Sequence, residues 1–185
     1  MSETETTAAT SRNSSLVIRG AEPADYEAIH GVVLGAYAQH AGQLAPEVFS
    51  RYLAAQLDLG THASYGRLLV AATQEGVLGF AAFYPDAAVQ GSGFPSGWAS
   101  VRVLAIHPGA DGPGVTRALL AACERLAAEA GAPVLAIRTA SLMTDDIAGY
   151  ERLGYRRAPE FDATAPVSSV AHLRYVAQMY MNLAR

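Results

Sequence analysis

Along the chain the apolar positions keep two different rhythms. In "EPADYEAIHGVVLGAYAQ" the residues Ile29, Val32, Val33 and Tyr37 recur on one face of a helix, Pro23 suits its first turn, and Asp25 and Glu27 favour its positive end. "PEVFSRYLAAQLD" also opens on a proline and reads as a second helix. The rhythm then changes. "RLLVAAT" and "VLGFAAFY" are apolar runs on either side of "EG", which predicts an antiparallel hairpin closed by a two-residue turn. "WASVRVLAI" is a further strand, and "GVTRALLAACERLAAEAG" is the longest helical pattern, ended by Gly131. "PVLAIRT" reads as a strand, "DDIAGYERLG" as a short helix closed by Gly154, "YRRAP" as the start of a strand and "AHLRYVAQMYMNL" as a last one. "LVIRG" precedes them all as the first strand.

The order is therefore βαα-βββ-α-β-α-ββ. Its central strand, long helix and strand form one crossover unit, whose strands are parallel and whose connection is right-handed. The remaining connections favour antiparallel pairing. The fold class is α/β in the α+β sense: a mixed, mostly antiparallel twisted sheet of roughly six to seven strands, with about four helices on both faces. Residues 1–14 are polar, Thr/Ser-rich and without period, and are expected to be a disordered tail before a single domain over 15–185.

Composition narrows the classes of function. Hydrophobic residues make up 51% and charged residues 16%, which fits a folded globular chain. No apolar run reaches the ~18 residues of a membrane span, and the N-terminus lacks a signal-peptide pattern, so the expectation is cytoplasmic with no membrane partner. A net charge of −4 without a basic cluster argues against nucleic acid. No metal site is expected. Cys123 is the one cysteine, so no internal disulfide can form, and its place in "ALLAACERL" suits a buried helix residue rather than a nucleophile. All 13 basic residues are arginine, so the chain has no lysine of its own to modify.

The candidate chemistry sits in "HPGADGPGVTRALLAACERL". A strand ending at Ile106, a glycine-rich turn and a helix from about Val115 gather unpaired N–H groups at a positive helix end, which favours either an anion or water. No Gly-Lys-Ser/Thr follows, so it is not a Walker loop, and the dinucleotide fingerprint lacks its third glycine.

Together with "AGYERLGYRRAPEFD", the stretch "VRVLAIHPGADGPGVTRALLAACERLAAEAG" resembles the GCN5-related N-acetyltransferase superfamily. There a strand of the type L-A-V-x-P is followed by R/Q-x-x-G-x-G/A and a long helix, and a later helix ends in a pattern matched here by Tyr150, Glu151, Gly154 and Tyr155. The two motifs cover residues 101–162, and the element order from "LVIRGAEPADYEAI" onward is similar too. The resemblance implies direct transfer of an acetyl group from acetyl-CoA to the amine of a small molecule or a peptide N-terminus, without a covalent enzyme intermediate. It implies that main-chain groups of Leu104, Ala105 and Ile106 hold the thioester and pantetheine. The pyrophosphate would lie on the loop from Asp111 to Arg117, with N–H groups from Gly112, Gly114 and Val115, the Thr116 hydroxyl and the Arg117 charge. Asp111 stands where Arg or Gln is usual, Pro113 has no N–H, and Thr116 replaces a small residue.

The resemblance makes Tyr150 the general acid. A tyrosine near pKa ~10 protonates a thiolate of conjugate acid ~8.5 only uphill, so the site must lower the one or raise the other. Met143 stands where an asparagine often lies, a trait of a branch that Arg157, Pro159 and Asp162 also fit. Ser100 stands where many relatives carry a glutamate base. His40, Glu47 and His107 are nearby in sequence, and nothing in their spacing selects one as the base. Tyr37, His40, Phe94 and Trp98 offer aromatic surface for an acceptor pocket or an ordinary packed lid. An alternative function is a degenerate member of the fold that binds a CoA thioester, or nothing, as a sensor or interaction module. Homodimers are common in the family, but "SSVAHLRYVAQMYMNLAR" carries no self-complementary feature.

Overall fold

The structure is a computed structural model that describes residues 15–164 and 171–178. The tail expected over 1–14, and the end of the last strand expected over 171–183, lie outside the described residues. In chain order the elements are β1 (Val17–Gly20), α1 (Tyr26–Ala38), α2 (Pro46–Leu57), α3 (Leu59–Tyr65), β2 (Arg67–Thr73), β3 (Gly76–Tyr84) and β4 (Ala99–Ile106). They continue with α4 (Gly112–Glu129), β5 (Val134–Ala140), α5 (Thr144–Arg152), β6 (Arg156–Arg157), β7 (Ala163–Thr164) and β8 (Ala171–Gln178). The strands form one sheet in the order β1-β2-β3-β4-β5-β8-β6, with β7 on β8. Only β4 and β5 pair in parallel, across the α4 crossover that the sequence pattern requires.

Three local features differ from the sequence reading. α3 follows α2 directly because the Asp58 carboxylate caps it, accepting from the Thr61 N–H at 3.0 Å and the Thr61 hydroxyl at 2.7 Å. β7 is an additional pair of residues on β8. Thr73 pairs with Gly76, so the hairpin turn is Gln74–Glu75 rather than "EG", and Gly76 enters β3 at φ 139, a conformation that favours glycine.

Helices cover both faces. On one, Ile29, Val32, Val33 and Tyr37 of α1 pack with Leu59, Val70, Phe80 and Tyr84. On the other, Val115, Leu119, Leu120, Cys123 and Ala127 of α4 pack on Leu69, Ala81, Phe83, Leu135 and Ile137, and Tyr150 of α5 joins them. Cys123 is fully buried, and burial pushes its thiol up to about 12, which removes it from nucleophilic chemistry. No helix among the described residues is long and apolar enough to cross a membrane.

Two features set up the site. At Gly79 of β3 an added Cβ would stand 2.7 Å from Val115 Cγ1 and 3.0 Å from Leu119 Cδ1, so the first turns of α4 rest directly on the strand. In β4, Ala82 pairs with Val103 and Phe83 with Val101, which leaves Arg102 as an extra residue, a β-bulge. The bulge resets which side chains face which layer: Val101, Leu104 and Ile106 pack with the α4 cluster, Val103 and Ala105 with the α1 cluster. The parallel pairing of β4 with β5 runs from Ala99↔Leu135 to Val101↔Ile137 and stops at this bulge. Beyond it the two strands part.

Gly79→Val should wedge α4 off the sheet. Val115 is β-branched and stiff, so overpacking by about 2 kcal/mol is expected, read as a fall in Tm of roughly 4–8 °C by calorimetry. An unchanged Tm would show that α4 does not rest on β3 as described.

Candidate active site

The parted strands leave part of the β4 main chain without a sheet partner. The His107 N–H donates to the Leu78 carbonyl at 2.8 Å, and alternation along an antiparallel ladder then turns the N–H and C=O of Ala105 toward β3 as well. Those of Leu104 and Ile106 face the other way, into the wedge. Of the three strand residues expected to offer main-chain groups, Leu104 and Ile106 do so; Ala105 is a correction, its backbone being committed to β3 and its side chain to the α1 core.

A cleft of about 590 Å³ opens from this wedge. Gly35, Tyr37 and His40 of the α1 end form one wall, Met143, Asp146 and Tyr150 around α5 another, and Gly112, Thr116 and Arg117 at the start of α4 the third. An added Cβ on Gly35 would meet Pro108 at 3.2 Å, so this glycine lets α1 approach the turn before α4.

At that turn the structure divides the expected anion-binding residues. Asp111 caps α4: its carboxylate accepts from the Gly114 N–H at 3.4 Å, and its carbonyl accepts from the Val115 N–H at 3.0 Å. Val115 is therefore no donor to a ligand, and its side chain is buried in the core. The Gly114 N–H already faces a carboxylate, though 3.4 Å is long for such a bond. Asp111 itself lies off the cleft wall. Gly112, Thr116 and Arg117 remain on the cleft, Arg117 exposed at its rim.

The groups that could move protons are partly those expected. Tyr150 is 4% exposed and faces the cleft, and burial, reinforced by Asp146, pushes its hydroxyl well above the usual tyrosine range. That shift is opposite to the lowering that would ease proton transfer. His40 also lines the cleft; it is 9% exposed, and among the described residues its Nδ1 has no hydrogen-bond partner. Asp146 shares this cleft, and its carboxyl is held above the ordinary range by incomplete hydration, an effect that His40 opposes and Asp145 adds to. His107 reaches the cleft as well, but its Nδ1 accepts from the Gly109 N–H at 3.0 Å and so braces the turn. Glu47 is exposed on α2, away from the cleft.

Ser100 is fully buried, and its hydroxyl accepts from Arg102 Nε at 3.1 Å. The aromatic quartet splits. Tyr37 and His40 line the cleft, whereas Phe94 and Trp98 stack with each other and with Phe161, the last pair at 5.0 Å between centroids, against Ala87 and Ala136. Phe94 and Trp98 thus secure the loop before β4 rather than an acceptor pocket.

At the apex of the wedge lies a second, small cavity of about 20 Å³, bounded by Tyr37, Tyr52, Gln56, Arg102, Arg138 and Tyr150 among others. Tyr37, Leu104, Met143 and Tyr150 wall both spaces. Arg102, Arg138 and Asp146 were not singled out from the sequence. Arg102 and Arg138 are single charges in apolar strand runs, and only the splay of β4 from β5 brings them to one cavity; Asp146, beside Asp145 in the first turn of α5, reads as an ordinary helix-start acid.

Residues 64–157, just over half of the chain, match the family model described as an acetyltransferase (GNAT) domain. No curated protein matches the chain in sequence. Solved structures share the fold. The PaiA N-acetyltransferase of Thermoplasma acidophilum in complex with coenzyme A superposes with a TM-score of 0.66 at 14% identity, covering 90% of this chain and 99% of that one. A proposed acetyltransferase from Salmonella typhimurium, solved with its cofactor acetyl-CoA, gives 0.59 at 20% identity over 91% and 96% of the two chains. The ribosomal-protein-S18-alanine N-acetyltransferase of Escherichia coli gives 0.60 at 16% identity over 90% and 96%.

Proposed function

Because the chain belongs to the GNAT acetyltransferase family, we propose that it transfers an acetyl group from acetyl-CoA directly to the amine of a small molecule or a peptide N-terminus. The observation that carries this reading is the wedge: unpaired main-chain groups at Leu104 and Ile106 open into a cleft that runs to the N-terminus of a long helix. An amide-bearing pantetheine arm can bond to such a strand as another strand would. Gly112, Thr116 and Arg117 then face the pyrophosphate, with the positive end of α4 behind them.

In the transfer, the amine lone pair forms the C–N bond and the C–S bond breaks, its electrons leaving on sulfur. His40 takes the proton that the amine loses, and Asp146 stabilises the imidazolium. Tyr150 hydrogen-bonds to the departing sulfur, and the proton held on His40 passes through water to that sulfur, so the thiol leaves neutral and His40 is regenerated. Burial that raises the Tyr150 hydroxyl also penalises a bare thiolate in the same cleft. The order of acidities in water is not inverted, so Tyr150 acts chiefly as a hydrogen-bond donor while the C–S bond stretches.

The Asp111 cap favours a second reading, a member that holds the CoA thioester poorly and does not turn it over. Titration calorimetry with acetyl-CoA separates the two. Micromolar binding and thiol release with an amine panel are expected; no binding at millimolar concentration removes the acetyltransferase reading. Asp111→Asn should bind acetyl-CoA about 3- to 10-fold more tightly, since one charge-assisted contact and one repulsion are each of order 1 kcal/mol.

Tyr150→Phe should lower kcat on the order of 10²-fold while acetyl-CoA affinity stays within about twofold. A variant as active as the wild type takes Tyr150 out of the reaction.

His40→Gln should lower kcat/KM on the order of 10²-fold at neutral pH and recover part of it at high pH, where the amine is free without help. Activity equal to the wild type at neutral pH means that the base lies elsewhere.

A further inference from the structure

At the wedge apex two arginines stand just past the last paired residues, Arg102 at the bulge and Arg138 one position beyond Ile137. Both line the small cavity, with Tyr37, Tyr52 and Tyr150 around them. Arg102 is 7% exposed and is fixed by the chain itself: Nη2 donates to the carbonyls of Ala87 at 3.0 Å and Val89 at 2.9 Å, and its guanidinium lies over the Tyr84 ring at 4.9 Å. Among the described residues no carboxylate lies within ion-pair distance of either guanidinium. Tyr37 and Tyr52, both neutral, line the cavity with Arg138, burial lowers both guanidiniums, and Arg138 adds to the lowering at Arg102. Two largely buried cations on neighbouring strands without an anion are unfavourable unless something compensates.

We propose that the acceptor amine carries a carboxylate, which Arg138 binds at the wedge apex while the amine points into the cleft toward Tyr150 and His40. This specifies the substrate class of the acetyl transfer proposed above and rests on that reading. Arg138 offers a planar fork that matches two carboxylate oxygens. The apex volume of about 20 Å³ holds one or two water-sized atoms, which suits those oxygens better than a bulkier phosphate. Tyr37, Leu104, Met143 and Tyr150 wall both spaces, so the two adjoin, and a short acceptor seated at the apex lies beside the cleft.

The test uses the full chain with a panel of α-amino acids and, for each, its carboxamide. Thiol release should give kcat/KM at least tenfold higher for the preferred acids than for their amides, with the difference in KM. Arg138→Gln should erase that preference, lose at least tenfold on the acids and change the amides less than twofold, while its Kd for acetyl-CoA stays at the wild-type value. If Arg138→Gln does not fold, the wild-type comparison decides alone. As a readout independent of transfer, the acids should raise the wild-type Tm more than the amides do. Amides that match the acids in both turnover and Tm, or a folded Arg138→Gln that keeps the preference, overturn the proposal. Failure of acetyl-CoA to bind overturns the acetyltransferase reading instead, and leaves the Tm comparison to judge the carboxylate site.

Discussion

β4 carries one residue more than its partner β3 can match, and the molecule's chemistry follows from where that residue goes. At Arg102 the ladder gains a bulge; within one residue the parallel pairing to β5 has ended. A sheet that stayed closed here would have no wedge, no outward-facing N–H and C=O at Leu104 and Ile106, and no passage to the α4 N-terminus. Backbone groups released from a ladder must still find partners. In this fold they find them in water or in whatever enters the cleft, so a defect in pairing becomes a capacity for binding. Gly79 and Gly35 serve the same end by letting α4 and α1 close on the wedge from its two sides.

Charge is distributed around the wedge in an unusual sense. The helix end, where an anion is favoured, carries its own carboxylate on Asp111, while the apex carries two guanidiniums. The first arrangement makes the turn before α4 self-sufficient: Asp111 answers Gly114, and Pro113 has no N–H to satisfy. The second leaves the apex incomplete. An inner end short of negative charge favours an anion of its own there, apart from whatever the helix end holds.

Much of the fold was legible in the chain because the signals were local. Helical periodicity placed α1 and α4, two apolar runs placed the β2–β3 hairpin though not its turn, and the central strand–helix–strand order identified the crossover. What escaped was whatever depends on register. A run such as "ASVRVLAI" is apolar at nearly every position, so a bulge that swaps the faces of Val101 and Val103 leaves no trace in the alternation. The phase of Ala105, the fate of the Val115 N–H and the meeting of Arg102 with Arg138 all follow from that hidden shift or from a cap formed three residues away. Phe94 and Trp98 were misplaced for a different reason: aromatic residues in a loop look alike whether they line a pocket or pin the loop down.

Four side chains, Tyr37, Leu104, Met143 and Tyr150, are the shared partition between the large cleft and the apex cavity. Any ligand that favours one arrangement of this partition alters the free energy of binding on its other side, and linkage requires the effect to be equal in both directions. The two substrates are thus not independent tenants of the protein. Whatever preference the apex shows for an acceptor belongs to the protein and its acyl donor together, and it is a property of the ternary complex rather than of either pocket alone.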